Sequence, residues 1–107
     1  MFFMPRESAI FRALGDPSRL AIFESLARKE APVKELTAQF RISQPAVSQH
    51  LTALRLAGLV TVRRDGRLSY YAVKSSGLKP LFDWLAHYQA FWPERVSRLE
   101  TLLKGMD

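Results

Sequence analysis

The 107-residue chain has no cysteine and only two histidines, His50 and His87. Without thiols it forms no disulfide, builds no thiolate metal site and senses no oxidant through sulfur. Long apolar runs are missing too. None approaches the roughly 18 residues that would span a bilayer, and the Met1-Phe2-Phe3-Met4 start lacks the charged and apolar regions of a secretory leader. A cytoplasmic protein is expected. The five glycines, Gly15, Gly58, Gly66, Gly77 and Gly105, stand apart, so there is no glycine-rich phosphate loop. Catalytic groups are equally scarce. Asp83 and His87, at i and i+4, can meet on one helix face, but two ligands are too few for a metal site. No enzyme, no cofactor and no metal site are expected.

Acidic residues are also in short supply, 10 Asp+Glu against 16 Lys+Arg, for a formal net charge of +6. The excess is local. Between residues 41 and 74, Arg41, Arg55, Arg63, Arg64, Arg67 and Lys74 face a single acid, Asp65, whereas residues 75 to 107 are neutral. A basic segment inside a short chain is the footprint of a surface that meets phosphates.

The same segment carries the most informative pattern. With about 100° per residue, Val47, Leu51, Leu54 and Gly58 share a narrow sector that predicts a core-facing seam. Gln44, Pro45, Ser48, Gln49, Thr52 and Arg55 fall away from it. Short hydroxyl and amide side chains suit the DNA major groove, where Gln pairs with adenine edges and Ser or Thr meets either base type. Arg55 suits a phosphate. Ser43 is a good N-cap and Pro45 is tolerated in the first turn, so the helix is predicted to start near Gln44. His50 lies beside the seam, where packing or a backbone hydrogen bond is the expected role.

Upstream, Val33, Leu36 and Phe40 recur at helical spacing, and only Arg41-Ile42-Ser43 separates them from the next helix. Two short helices with a three-residue link predict a helix-turn-helix over residues 33–57. Downstream, two β-branched and aromatic runs flank Asp65-Gly66, predicting a hairpin over residues 59–73 whose tip gathers Arg63, Arg64 and Arg67. An Arg-rich turn alone is usually only solvated. The order and spacing of these elements together predict a recognition helix with a basic wing on the DNA backbone or minor groove.

The remaining segments read as scaffold. Ile10, Phe11 and Leu14 predict a first helix, Asp16-Pro17 starts a second carrying Leu20, Phe23 and Leu26 on one face, and Gly15 marks the turn. From Leu78, apolar residues recur every three or four positions to Leu103, and the stripe holds Phe82, Trp84, Tyr88, Phe91 and Trp92. A monomer this small has little core for so much aromatic area, and Trp and Tyr favour association surfaces. Helices over residues 1–14 and 76–104 are therefore predicted to form a homodimer interface, with Phe11, Trp84, Leu85, Tyr88, Trp92 and Leu99 at its centre. Packing within the chain accounts for part of the stripe. Pro93 should kink or break the last helix.

Five separated motifs carry a family resemblance: Ala13-Leu14-Gly15-Asp16-Pro17-Ser18-Arg19-Leu20, Glu35-Leu36, Ser43 to Leu51, Ala57-Gly58-Leu59-Val60, and Asp65-Gly66-Arg67 with Tyr71. In this order they resemble the ArsR family of winged helix-turn-helix repressors across roughly residues 10 to 74. The resemblance implies a mainly α fold with a small β-hairpin wing, and a bacterial homodimer that represses transcription. It does not extend to metal sensing. Thr37 and Gln39 stand where metal-sensing members place cysteines, and Asp83 followed by Leu85, with Val96 and Leu99, breaks their other common site. Leu56 stands where the family usually has an acid. No response to zinc or arsenite is expected.

Three alternatives remain at this level: a nonspecific architectural DNA-binding protein, a winged helix that binds only proteins, and a small-molecule binding protein or enzyme on the same dimer. The charge of residues 41–74 opposes the second, and no polar pocket is legible for the third. The Gln/Ser/Gln face favours base reading over the first.

Overall fold

The computed structural model describes residues 5–89, 98 and 101–105. Its elements are α1 (Pro5–Leu14), α2 (Pro17–Arg28), β1 (Ala31–Pro32), α3 (Val33–Phe40), α4 (Gln44–Leu56), β2 (Val60–Asp65), β3 (Leu68–Val73) and α5 (Lys79–Gln89). The predicted class, mainly helical with a small β wing, is what forms. Residues 101–105 are also helical. The predicted first helix is described from Pro5, and the last begins at Lys79 rather than residue 76, because residues 75–78 form a turn. The expected kink at Pro93 lies outside the described residues.

Capping explains the helix starts. The Asp16 carboxylate accepts from the Arg19 N–H at 2.9 Å with Pro17 at the first helical position, and this bond, ahead of the nearby charges of His50 and Arg19, holds the Asp16 carboxyl below its usual range. Asp16 therefore stabilises α2 fully above the ordinary carboxylate range, and that contribution fades as pH falls through its depressed folded value. In α2 the buried stripe is Ile22, Phe23 and Leu26, while Leu20 is exposed. Each three-residue step turns the helix about 60° short of a full circle, which carries Leu20 off the face that Leu26 occupies.

One core unites the elements. Ile10 of α1, Ile22 of α2, Leu36 of α3, Val47, Leu51 and Leu54 of α4, and Leu59 are all at most 1% exposed. The seam predicted on α4 is therefore buried as read, apart from Gly58, which lies past the helix end. Gly58 has φ of 77°. The Leu59 N–H donates to the Leu54 carbonyl and the Gly58 N–H to that of Arg55, both at 2.9 Å. This is a Schellman cap, in which a left-handed glycine lets the chain reverse and satisfy the last helical carbonyls. It feeds α4 directly into β2. Gly77 seals the same corner, since a Cβ there would lie 2.6 Å from the Gly58 carbonyl oxygen.

The sheet departs from the sequence reading in two ways. It has three strands, ordered β1-β3-β2, because Ala31 and Pro32 pair antiparallel with Tyr71 and Tyr70. Two residues ending in proline give no strand pattern; tertiary contact with β3 creates this one. The hairpin turn is also displaced by one residue. Asp65 pairs with Leu68, leaving Gly66-Arg67 as the two central residues. Gly66 alone has positive φ, 66°, the signature of a type II′ turn with glycine first, where Asp-Gly in the centre would have required positive φ at both.

Candidate nucleic-acid interface

On α4 the division between inner and outer faces is sharp. Gln44, Pro45, Ser48, Gln49, Thr52 and Arg55 are all exposed, whereas Val47, Leu51 and Leu54 are wholly buried. The Ser43 hydroxyl accepts from the Ala46 N–H at 3.2 Å and fixes the start of the helix, with Pro45 in its first turn. The preceding α3 ends at Arg41 in the left-handed region, φ 56°, so the link Arg41-Ile42-Ser43 turns sharply and projects α4 outward. The buried Ser25 hydroxyl donates to the Gln39 side-chain oxygen at 3.2 Å and ties α3 to α2. Nothing among the described residues packs on the outer face of α4. It is an exposed polar ridge.

His50, at the edge of the seam, is half-buried. Its Nδ1 is buried and has no hydrogen-bond partner among the described residues, so that nitrogen makes no backbone hydrogen bond with them.

The wing places Arg63, Arg64 and Arg67 at the surface, but not equivalently. Arg63 is engaged within the chain. Its guanidinium donates through Nη2 and Nε to the Glu30 carboxylate, the Nε bond being 3.2 Å, and its Cζ lies 4.7 Å from the Tyr70 ring centroid. The ion pair holds the Glu30 carboxyl below its usual range and raises Arg63 further. Glu30 and Tyr70 were not legible as site residues, because Glu30 lies 33 positions from Arg63 with no periodicity linking them. Arg64 and Arg67 extend from the tip.

A second surface joins α1 and α5. Phe11 meets Trp84 edge-on at 5.3 Å, and Trp84 stacks at a tilt on Tyr88 at 4.8 Å. Trp84 is half-buried by these contacts, yet Phe11, Phe82, Leu85 and Tyr88 stay exposed. Part of the aromatic stripe is thus internal packing, and Phe11, Phe82 and Leu85 stay exposed among the described residues. Trp92 and Leu99 lie outside the described residues. Asp83 accepts from Lys79 at 2.9 Å, one turn before it on α5. Among the described residues, no three of His, Asp and Glu are placed to hold a metal ion, and no helix is long and apolar enough to cross a membrane.

A cleft of about 590 Å³ opens between α1, the end of α4 and the start of α5, and Ile10, Leu56, Gly77 and Pro80 contribute to its lining. Leu56, unexplained by sequence, is 84% exposed there.

With this geometry in place, the comparisons with known proteins are specific. Residues 16–62, which run from the Asp16 cap into β2, match the family model described as "Bacterial regulatory protein, arsR family". The chain is 41% identical over 78 residues to a protein of Synechocystis named as a transcriptional repressor SmtB homolog, covering 73% of this chain and 59% of that one. It is 34% identical over 76 residues to the transcriptional activator HlyU of Vibrio cholerae, covering 71% of this chain and 70% of that one. Among solved structures, an ArsR-like transcriptional regulator from Rhodococcus superposes with a TM-score of 0.76 at 26% identity, covering 92% of each chain. The chain thus spans little more than half the length of the Synechocystis relative.

Proposed function

The chain belongs to the ArsR family of bacterial regulatory proteins, and from that premise we propose that it is a homodimeric, sequence-specific regulator of transcription acting on double-stranded DNA as a repressor. In this reading, helix 44–57 enters the major groove of an inverted-repeat operator and the 63–67 wing tip lies on the backbone or minor groove. The observation that carries it is the outer face of α4. Six polar or small residues, Gln44, Pro45, Ser48, Gln49, Thr52 and Arg55, are presented on a helix whose opposite side is locked into the core, and the basic wing flanks it.

The two kinds of contact separate by mutation. Gln44→Ala or Gln49→Ala is expected to cost about 1–3 kcal/mol on the preferred site and little on random DNA, because each removes a bidentate hydrogen-bonding group from a base edge. Arg64→Ala or Arg67→Ala should instead weaken binding to every sequence and reduce the dependence of log K on log salt by about 0.9 per phosphate no longer neutralised. Fluorescence anisotropy on specific and random duplexes at several salt concentrations measures both. Equal weakening on both duplexes for the Gln variants would replace base reading with architectural binding.

A further inference from the structure

Arg63 and Arg64 are adjacent on β2 but point to opposite faces of the sheet, because side chains alternate along a strand. Arg63 sits across from Tyr70, which in turn pairs with Pro32. Pro32, Tyr70 and Arg63 therefore form one row across all three strands. Beyond that row only Arg64↔Ser69 and Asp65↔Leu68 remain, and the wing continues as a two-stranded ribbon. Such ribbons are marginally stable on their own. Arg63 stands in the row where β1 ends, and its partner Glu30 immediately precedes the first residue of β1.

Its chemistry is that of a brace. The guanidinium forks onto the Glu30 carboxylate through two donors, a geometry more directional than a point-charge pair, and lies over the Tyr70 ring. A second carboxylate, Asp65, is 3.8 Å from Nη1. One cation between two anions leaves a local formal charge of −1, which repels an approaching phosphate. Arg64 and Arg67 have no carboxylate partner among the described residues.

We propose that Glu30 is a positioning residue for DNA binding: it holds Arg63 as the brace of the wing, and the phosphate contacts of the wing are made by Arg64 and Arg67. This refines the DNA-reading function proposed above and rests on it. The sequence pattern alone groups the three arginines as equal backbone ligands; the geometry separates Arg63 from the other two.

The test uses the full chain and a variant that preserves net charge, Glu30→Gln/Arg63→Gln. Its affinity for a random-sequence duplex should fall about three- to tenfold, the scale of removing a surface pair from each of two wings, while the salt slope stays at the wild-type value. Arg64→Gln and Arg67→Gln should each flatten that slope, by about 0.9 for each phosphate no longer neutralised and so about two units in a dimer. Without DNA, amide hydrogen exchange over residues 63–68 should quicken in the double variant, and the reversed pair Glu30→Arg/Arg63→Glu should restore protection. A slope for Glu30→Gln/Arg63→Gln that flattens as much as for Arg64→Gln would overturn the proposal, as would unchanged exchange at the tip. If the wild-type protein binds no DNA, the function proposed above fails, and the exchange measurement still decides whether the brace exists.

Discussion

Leu85→Glu is expected to yield a folded monomer whose DNA affinity is lower by about 100-fold or more. Leu85 is 46% exposed on α5, next in the chain to Trp84, so a carboxylate there reaches water in the monomer. In a dimer closed by a two-fold axis the same patch meets itself, and each substitution is felt twice. Losing the burial of one leucine removes about 1.5–3 kcal/mol, and a buried carboxylate without a partner costs more. Two recognition helices joined in one particle bind with an advantage of about 10²–10⁴ over either alone, and that advantage is what disappears. Trp92→Ala, whose place in the interface rests on the spacing of the stripe alone, should act in the same direction, since removing a buried Trp costs about 3–5 kcal/mol. Sedimentation velocity, circular dichroism and anisotropy on one sample test the sequence of events. A Leu85→Glu protein that stays dimeric and binds normally would place the interface elsewhere.

The second large effect concerns the core. Leu54→Ala should destabilise the fold by about 2–5 kcal/mol, a loss comparable with the whole stability of a small domain. Leu56→Ala, two residues later on the same helix, should change stability by no more than about 0.5 kcal/mol. The contrast follows from burial: the Leu54 side chain is 0% exposed, whereas Leu56 is 84% exposed. Urea denaturation with matched m-values measures both. Similar losses for the two variants would mean that Leu56 is covered in solution, as by a second subunit.

Legibility from sequence followed the range of the interactions. The start of α4 at Gln44, its cap at Ser43, the seam Val47-Leu51-Leu54 and the three-residue link before it all depend on neighbours within about four residues, and all formed as read. The hairpin formed too, with its turn one residue late, because the choice between Asp65-Gly66 and Gly66-Arg67 depends on strand register, which the paired strands set together. What the sequence hid was long-range. β1 exists only because β3 is there to pair with it, and the Glu30–Arg63 pair joins the α2–β1 connection to β2, 33 residues on. The aromatic stripe was legible as a helix face, but its division between internal packing, as in Phe11–Trp84, and exposed surface, as in Phe82, depends on where α1 docks.

The central claim, a dimer that reads DNA with α4, is tested most directly by hydroxyl-radical footprinting on a duplex that the protein selects from a random pool. Two recognition helices on one two-fold axis reach successive major grooves about 34–36 Å apart. The selected sequence should be an imperfect inverted repeat, and protection should fall in patches related by a dyad and spaced one helical turn apart on one face of the duplex. Gln49→Ala should lose that pattern while keeping general affinity. Selection that yields no shared sequence, or protection spread evenly along the duplex, would contradict the account and leave the chain a nonspecific DNA-binding protein.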